Sequence, residues 1–267
     1  MPARGVTARQ RVRWQAVAMD TPRHALVTGA NRGLGLEFVR QLLAAGSRVV
    51  AACRHPGKAT ALNTLAGEHP GRLHVLPLDV AAPRSHAELA RELPLVLGER
   101  DDGEPGRLDL LVNNAGVLHS GERFGTLGAA TLDDSFRTNA AGPLLLTQAL
   151  AQLLADASPE RGLRGARVVN LSSRLGSIAL TTRFGSPSYD ISKAALNMAT
   201  VLLSHALAER GIVVAALSPG WARTDMGGAD AEVEPADAVA GLLRVAASLE
   251  AGDSGRFLDW KGEPVPW

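Results

Sequence analysis

Short apolar segments alternate with helical periodicity from residue 23 onward, and this alternation limits the possible folds more than any other feature. Seven of these segments are rich in valine and leucine and apolar on both faces, which is typical of parallel strands covered by helices. They span residues 24–28, 48–53, 73–80, 108–113, 167–171, 212–217 and 256–260. Helical patterns lie between them near residues 33–45, 83–99, 131–156, 188–210 and 235–249. We predict an α/β fold: a doubly wound parallel sheet of about seven strands, forming one domain over residues 21–267.

Composition excludes several classes of protein. The chain has 267 residues, of which 46% are hydrophobic and 21% charged, as in ordinary globular proteins. A formal net charge of +1 argues against a broad nucleic-acid surface, which needs a basic stripe. Cys53 is the single cysteine, so an intrachain disulfide and a cysteine-based zinc site are excluded. The seven histidines show no metal-ligand spacing, and we expect no metal.

Two segments bear on targeting and membranes. Residues 1–20 hold four arginines and no acid before Asp20, and we predict a disordered basic leader. A transit peptide, a basic arm and an overlong start with Met19 as the true initiator are the alternatives. The charge-free stretch 138–155 contains polar side chains and a proline, which predicts a buried amphipathic helix rather than a bilayer span. We expect a soluble, cytoplasmic protein with no membrane partner.

The turn after the first predicted strand is rich in glycine, and a helical pattern follows it. Glycines let the backbone approach a pyrophosphate, and the helix N-terminus offers free N–H groups. The spacing is GxxxGxG with no following Gly-Lys-Ser/Thr, so it matches neither the general dinucleotide fingerprint nor a P-loop. We predict a cofactor-binding turn, with a bare strand-to-helix turn as the alternative. Its residues are Gly29, Asn31, Arg32, Gly33, Leu34 and Gly35.

Arginine, and no acid, stands at the end of the second predicted strand. The sequence there is Ala52-Cys53-Arg54, where an acid would bind the 2′-hydroxyl of NAD and arginine suits the 2′-phosphate of NADP. Arg32, inside the glycine turn, can supply a second guanidinium to that phosphate. We therefore favour NADP over NAD. The alternative is that both arginines are simply solvated and bind no phosphate.

The only tyrosine of the chain, Tyr189, begins a Tyr-x-x-x-Lys pattern that ends at Lys193. Positions i and i+4 share one helix face, so the ammonium lies beside the phenol. A free phenol has a pKa of about 10, and a neighbouring cation favours the phenolate, which brings the group towards a working acid or base. Ser173 follows the fifth predicted strand, where a hydroxyl can donate to a substrate oxygen. The alternative for Tyr189 and Lys193 is an ordinary pair of side chains on the protein surface. The alternative for Ser173 is a serine that only forms a turn.

The ordered set of these motifs resembles the short-chain dehydrogenase/reductase family over residues 23–267. Further matching marks are Asp79, the run Asn113-Asn114-Ala115-Gly116, Asn139, and Pro219-Gly220 followed by Thr224. The segments 172–178, 192–198 and 255–260 look like the C-factor and sniffer type of carbonyl reductase.

The resemblance implies hydride transfer between NADP and a carbonyl or secondary alcohol. It makes Tyr189 the general acid or base, and Lys193 the residue that lowers the tyrosine pKa and holds the nicotinamide ribose. It makes Ser173 the residue that polarises the carbonyl, and Asn139 the support of a water that links Lys193 to solvent. For Asn139 the alternative is a buried amide that stabilises a helix kink. The alternative for the whole protein is an NADP-binding, C-factor-like signalling or sensor protein with little turnover.

The resemblance also implies further cofactor contacts. Asp79 and Val80 contact the adenine, although Asp79 could instead cap a turn or helix. Thr224 bonds the nicotinamide carboxamide after a turn shaped by Pro219 and Gly220. The end of the fourth strand packs closely against the cofactor, and the residues that allow this are Asn113, Ala115 and Gly116. The alternative is that Asn113 or Asn114 simply satisfies hydrogen bonds of neighbouring strands.

The serine role has a second candidate, because Ser173 lies 16 positions before Tyr189 while Ser177 lies 12 before it. About a dozen is the family's commoner interval, and we prefer Ser173 because it sits directly at the strand end. By analogy the substrate pocket is lined by residues 117–125, 174–186 and 221–233, with Trp221 and Phe184 available to stack on an apolar substrate. His119 could line the entrance. Relatives pair through the helices carrying Asn139 and Tyr189, so we expect a homodimer or homotetramer, with a monomer as the alternative.

Overall fold

The computed structural model describes residues 23–99, 103, 105–158, 160 and 164–267, and the leader predicted at residues 1–20 lies outside them. Within the described residues, seven parallel strands form one sheet in the order β3-β2-β1-β4-β5-β6-β7. The strand order reverses between β1 and β4, which are direct neighbours. This doubly wound arrangement confirms the predicted fold class. The strands are β1 (His24–Thr28), β2 (Arg48–Cys53), β3 (Leu73–Pro77), β4 (Leu110–Asn113), β5 (Arg167–Leu171), β6 (Val213–Ser218) and β7 (Phe257–Asp259).

Helices cover both faces of the sheet. They are α1 (Gly33–Ala44), α2 (Thr60–Glu68), α3 (Pro83–Leu97), α4 (Ala129–Phe136), α5 (Gly142–Ala149), α6 (Pro187–Ala206) and α7 (Pro235–Ser248). Apolar side chains of α1, α2 and α7 pack on one face, and those of α3, α5 and α6 pack on the other. The strands are buried on both sides for this reason, which explains their continuous apolar sequence. Within the described part of the chain, no helix is long and apolar enough to cross a bilayer.

One helix and the bounds of two strands, among other elements, differ from the sequence prediction. Helix α2 was not predicted, because Leu62 is its only buried residue and a single buried position gives no visible periodicity. Strand β3 ends at Pro77 instead of residue 80, and residues 78–82 form a turn closed by the Ala82 N–H and the Asp79 carbonyl. Strand β4 begins at Leu110 instead of residue 108, where Leu108 forms only an isolated bridge.

The helix predicted over residues 131–156 is interrupted near its middle. A π-helical turn, Arg137–Ala141, separates α4 from α5. Gly142 follows it, and a Cβ at this position would lie 2.6 Å from the carbonyl oxygen of Val80. Only glycine allows this close approach, so α5 packs tightly against the turn that follows β3. The wide turn also aims the Asn139 side chain into the protein, and such turns are frequent at functional sites.

Candidate active site

The carboxyl ends of the central strands open into a cleft of about 650 Å³, within the usual range of ligand sites. The glycine turn and Arg54 lie at one end of the cleft, and Tyr189 and Lys193 line its wall. Most of the predicted cofactor residues line it: Gly29, Asn31, Arg32, Gly33, Leu34, Gly35, Arg54, Asp79, Val80, Ala115, Gly116, Tyr189, Lys193, Pro219 and Thr224. Asn113 and Gly220 do not.

The glycine turn depends on the absence of side chains at two positions. Gly29 has a φ of +63°, and a Cβ there would lie 2.8 Å from the Cα of Ala115. At Gly35, in the first turn of α1, a Cβ would lie 2.6 Å from Asn114 Nδ2. That same amide nitrogen donates to the carbonyl oxygens of Thr28, at 2.8 Å, and Gly29, at 3.2 Å. Asn114 was not among the predicted site residues, although its place directly after β4 is a sequence signal for it.

Cationic side chains surround the end of the cleft beside β2. Arg54 and Lys58 line it there, and Arg32 approaches from the glycine turn. Arg32 Nη1 lies 3.2 Å from Asp225 Oδ2, and both side chains are largely exposed. An exposed pair of this kind contributes only about 0–1 kcal/mol, so Arg32 can exchange Asp225 for a phosphate at small cost. This end of the cleft therefore fits an anionic group.

Two predicted cofactor residues have structural roles. Asp79 lines the cleft, and its Oδ1 also accepts a hydrogen bond from the Ala81 N–H at 3.0 Å, so it caps its own turn. Asn113 is buried beneath the cleft, where its Nδ2 donates to Asn170 Oδ1 at 2.8 Å and Thr147 Oγ1 at 3.2 Å. Asp79 therefore caps a turn, and Asn113 bonds to a neighbouring strand and helix. These are the structural roles that the sequence left open beside cofactor binding.

Tyr189, Lys193 and Ser173 come together beside the cleft. Tyr189 and Lys193 lie one turn apart in α6 and are only 8% and 4% exposed. Lys193 Nζ lies 5.5 Å from the centre of the Tyr189 ring and donates to the Leu171 carbonyl at 2.6 Å. Ser173 begins the turn after β5, and its hydroxyl accepts from the Leu175 N–H at 3.1 Å. The phenol, the ammonium and the serine hydroxyl are thus neighbours in the structure.

Burial shifts the pKa values of the tyrosine and the lysine in opposite directions. Burial raises the pKa of Tyr189 to about 12, while its hydrogen bond with the Ser173 side chain lowers it and the Asp190 carboxylate raises it further. Burial lowers the pKa of Lys193 to about 8. The net change in the Tyr189 pKa is opposite to the sequence-based expectation, because removal from water outweighs other influences on the phenolate. At neutral pH Tyr189 is therefore a phenol, the form that donates a proton.

A family model described as short chain dehydrogenase matches residues 23–234, a span that includes the glycine turn, Ser173, Tyr189 and Lys193. The chain belongs to the short-chain dehydrogenase family. Members of this family are oxidoreductases that bind a nicotinamide cofactor and act on small molecules, and the cleft fits such a cofactor. Among the described residues, no three His, Cys, Asp or Glu side chains are grouped so that they could hold a metal ion.

Relatives of this short-chain dehydrogenase include a signal protein and two carbonyl reductases. Over 162 residues it is 43% identical to the C-signal of Myxococcus xanthus, which covers 61% of this chain and 94% of the relative. The NADPH-bound carbonyl reductase from chicken fatty liver superposes with a TM-score of 0.83 at 38% identity, covering 92% of this chain and 99% of that one. Carbonyl reductase Sniffer of D. melanogaster gives a TM-score of 0.83 at 31% identity with the same coverage. These likenesses agree with the carbonyl-reductase branch expected from the sequence.

Asn139 of this short-chain dehydrogenase is fully engaged by protein groups. Its Oδ1 accepts from the Val117 N–H at 2.8 Å, and its Nδ2 donates to the Val117 carbonyl at 2.8 Å and to Ser192 Oγ at 2.9 Å. Ser192 Oγ in turn donates to the Tyr189 carbonyl at 2.7 Å. The side chain therefore joins the π-helical turn to α6 and to the loop at Val117, as expected of a kink-stabilising amide. Support of a water beside Lys193 stays a prediction.

The Ser177 hydroxyl is engaged by backbone groups near the end of the chain and in its own turn. Ser177 is buried and donates to the Pro266 carbonyl at 2.6 Å. The turn that carries Ser173 is held instead by Asn197, one helical turn beyond Lys193. Asn197 Oδ1 accepts from Ser172 Oγ at 2.6 Å, and its Nδ2 donates to the Gly176 carbonyl at 3.1 Å. Asn197 was missed as a site residue, although its i+4 spacing from Lys193 is a usable signal.

Exposed aromatic side chains surround the predicted substrate side. The rings of Phe124 and Phe184 meet edge to face with centroids 5.7 Å apart, and so connect the loops at 117–125 and 174–186. Trp221 donates its indole N–H to the Gly227 carbonyl at 2.8 Å, which leaves its ring face half exposed. His119 lies 2.9 Å from Asp134, so its ring is held in an exposed pair. This side can accept an apolar molecule.

Replacing Gly35 with alanine should weaken cofactor binding and destabilise the fold. The new Cβ would collide with the Asn114 amide that fixes the glycine turn, so the turn must shift. We expect the Kd for the reduced cofactor to rise at least about tenfold and the free energy of unfolding to fall by about 1–3 kcal/mol. Calorimetric titration and chemical denaturation measure both quantities. Gly67→Ala in α2 is the matched control, because its Cβ meets nothing within 4 Å, and it should leave cofactor affinity unchanged.

Proposed function

We propose that this protein is an NADP-dependent carbonyl reductase that transfers hydride between the nicotinamide and a carbonyl or secondary alcohol. The observation that carries the proposal is the phenol of Tyr189, buried beside Lys193 and Ser173 on the wall of a nucleotide-sized cleft. Tyr189 is the chain's only tyrosine, so the phenolic chemistry has no second candidate. The likeness to an NADPH-bound carbonyl reductase over 92% of the chain supports the same function.

The cofactor would lie along the cleft from the cations to the catalytic tyrosine. The free N–H groups of α1 and the bare backbone of the glycine turn would bind the pyrophosphate. Asp79 and Val80 would contact the adenine, Lys193 the nicotinamide ribose and Thr224 the carboxamide. When bound, the nicotinamide supplies or accepts the hydride, and the protein orients and polarises the substrate.

Tyr189 would move the proton during the reaction. In reduction the carbonyl carbon gains a hydride and its oxygen gains the phenolic proton, which yields the alcohol and leaves Tyr189 as phenolate. Ser173 would donate a hydrogen bond to that oxygen as negative charge develops. The Lys193 ammonium, held beside the ring, would stabilise the phenolate until it is reprotonated. In oxidation Tyr189 would act as the base.

Replacing Arg54 with alanine should reduce the preference for NADPH. Removal of one charge-assisted contact to the 2′-phosphate costs about 1.5–3 kcal/mol, so kcat/KM for NADPH should fall by about ten- to one-hundred-fold. The kcat/KM for NADH, which has no such phosphate, should change less than twofold. Initial rates with both cofactors measure this preference. Arg40→Ala, which removes an exposed arginine of α1 outside the cleft, is the control, and an equal loss with both cofactors would contradict the assignment.

A second candidate is a signalling protein that binds NADP with little turnover. The observation in its favour is the 43% identity to the C-signal of Myxococcus xanthus. We favour the enzyme, because a purely signalling role does not require Ser173, Tyr189 and Lys193 to be assembled beside the cofactor cleft. The variant Tyr189→Phe, which should bind cofactor without catalysis, separates the two.

For assembly we propose a homodimer or homotetramer. Ile191, Met198 and Leu202 are exposed and lie on one face of α6, and Phe136 and Leu145 are exposed on the neighbouring α4 and α5. An apolar face of this kind is typical of a contact between copies. The hydrodynamic mass of the purified protein decides between this assembly and a monomer.

A further inference from the structure

The final residues of the chain return to the sheet after β7. The Asp259 N–H donates to the Glu263 carbonyl at 2.8 Å, and the Val265 N–H donates to the Phe257 carbonyl at 2.9 Å. Val265 packs in a small apolar cluster with Phe257 and Ala216. The ring of Trp267 stacks on Phe257, with centroids 5.5 Å apart and planes 24° apart. Residues 264–267, here called the tail, are therefore fixed to the edge of the sheet.

The tail makes two hydrogen bonds to the turn that follows Ser173. Ser177 Oγ donates to the Pro266 carbonyl at 2.6 Å, and the Ala179 N–H donates to the Trp267 carbonyl at 2.8 Å. The Ser177 hydroxyl also accepts from the Leu180 N–H at 3.2 Å. Ser177 is 1% exposed, and a hydrogen bond shielded from water is stronger than an exposed one. Ser177 thus connects the tail to residues 177–181, here called the substrate turn.

The substrate turn cannot be held by burial of its own side chains. Ile178 is 78% exposed, and Leu175 and Leu180 nearby are also exposed. Apolar side chains that remain in water do not anchor a loop, so its position depends on its backbone, on Ser177 and on the Thr181 hydroxyl, which donates to the Ser177 carbonyl at 2.8 Å. The same residues lie in the segment expected to line the substrate pocket. Asn197 holds the start of this turn at the Gly176 carbonyl, and the tail holds the part of it that carries this apolar surface.

The tail contributes little to the two main cores. Only Val265 belongs to an apolar cluster, and that cluster is separate from those that fill the two faces of the sheet. Loss of the contact with Ser177 should therefore free the substrate turn without unfolding the protein. A contact that fixes a substrate-facing turn but not the fold is expected to act on substrate binding.

We propose that the tail, through Ser177, positions the substrate turn and thereby sets the affinity for the carbonyl substrate. Ser177 is a positioning residue, since its hydroxyl bonds only to backbone groups of the tail and of its own turn. The effect on substrate affinity rests on the proposed carbonyl reductase function. The attachment of the turn to the tail does not, because it is a property of the protein without substrate.

Ser177→Ala and deletion of residues 266–267 test the proposal. Loss of one buried hydrogen bond, about 1 kcal/mol, should raise KM for a carbonyl substrate about fivefold in Ser177→Ala. The deletion should raise it further, while kcat and the Kd for NADPH stay within twofold. Trp267→Ala keeps both carbonyl acceptors and should have the smaller effect. Ser47→Ala is the matched control, since Ser47 is equally buried, its hydroxyl has no partner among the described residues, and it lies before β2.

Hydrogen–deuterium exchange in the absence of substrate tests the attachment independently. Amides of residues 177–181 should exchange at least about tenfold faster in Ser177→Ala, while amides of β4 and β5 keep their protection. Unchanged exchange would overturn the attachment, whether or not the protein reduces carbonyls. Faster exchange with an unchanged KM, or a fall in kcat alone, would overturn the role in substrate affinity. Absence of all carbonyl turnover in the unaltered protein would instead count against the proposed function.

Discussion

Replacing Tyr189 with phenylalanine should lower kcat for carbonyl reduction by about 10²–10⁴-fold, the usual contribution of general acid catalysis. Tyr189 is the chain's only tyrosine, and its buried hydroxyl, beside Ser173 and Lys193, is the proposed proton donor. The ring itself remains in the variant, so packing of α6 is preserved. The Kd for NADPH should therefore change less than threefold, and thermal stability should hold. Steady-state rates give kcat, and calorimetric titration gives the Kd for NADPH.

The same variant separates an enzyme from a signalling protein. If the biological role depends on turnover, Tyr189→Phe should lose it while still binding NADPH. Retention of a signalling response by this variant would favour the C-signal-like alternative. Retention of the reduction rate would contradict Tyr189 as the proton donor. Ser173→Ala should give a partial loss, because it removes one hydrogen bond to the oxygen but no proton.

Replacing Lys193 with methionine should lower kcat strongly and at the same time stabilise the protein without cofactor. Loss of a cation beside the developing phenolate should reduce kcat by at least about 10²-fold. Burial of the ammonium lowers its pKa from 10.5 to about 8, which means that the charged form destabilises the fold at pH 7. A tenfold difference in proton affinity between the folded and the unfolded chain corresponds to about 1.4 kcal/mol. The variant also loses the hydrogen bond to the Leu171 carbonyl, which offsets part of this effect. We expect its free energy of unfolding to rise by about 2 kcal/mol in total.

The gain in free energy of unfolding of Lys193→Met over the wild type should shrink as pH rises from 8 to 10.5. Over this interval the folded wild type releases the Lys193 proton while the unfolded chain retains it, so wild-type stability increases with pH. The methionine variant has no such group and lacks this increase. The raised pKa of Tyr189 acts above pH 10 in both proteins and cancels in the comparison. Urea unfolding of both proteins at pH 7 and pH 10 measures the effect, and a wild type that is the more stable at pH 7 would contradict it.

Local sequence predicts the sheet and most of the cleft because these depend on short-range patterns. The parallel strands are apolar on both faces, and the glycine turn is needed wherever backbone approaches a ligand closely, as Gly29 and Gly35 do here. Tyr189 and Lys193 are joined by helix geometry alone. Helix α2 was not predicted, because a helix with one buried residue gives no periodic signal.

Features that depend on distant contacts could not be predicted in this way. The break before α5 requires the approach of Gly142 to Val80, which no local pattern reveals. The bond from Ser177 to Pro266 joins positions 89 apart, so spacing from Tyr189 could not show that Ser177 faces the tail. The rise in the Tyr189 pKa depends on how completely the surrounding chain excludes water. An i+4 lysine gives no measure of that burial.

The most direct test of the proposed function is consumption of NADPH and of NADH by the purified protein across a panel of aldehydes and ketones. The panel should include small aliphatic, bulky aliphatic and aromatic carbonyls, and Tyr189→Phe serves as the matched control. We expect reduction of at least one class of carbonyl, with kcat/KM for NADPH at least about tenfold above that for NADH, since the 2′-phosphate would meet Arg54 and Arg32. We also expect loss of this activity in the variant. No turnover of any carbonyl with either cofactor, despite measurable NADPH binding, would contradict the proposed function.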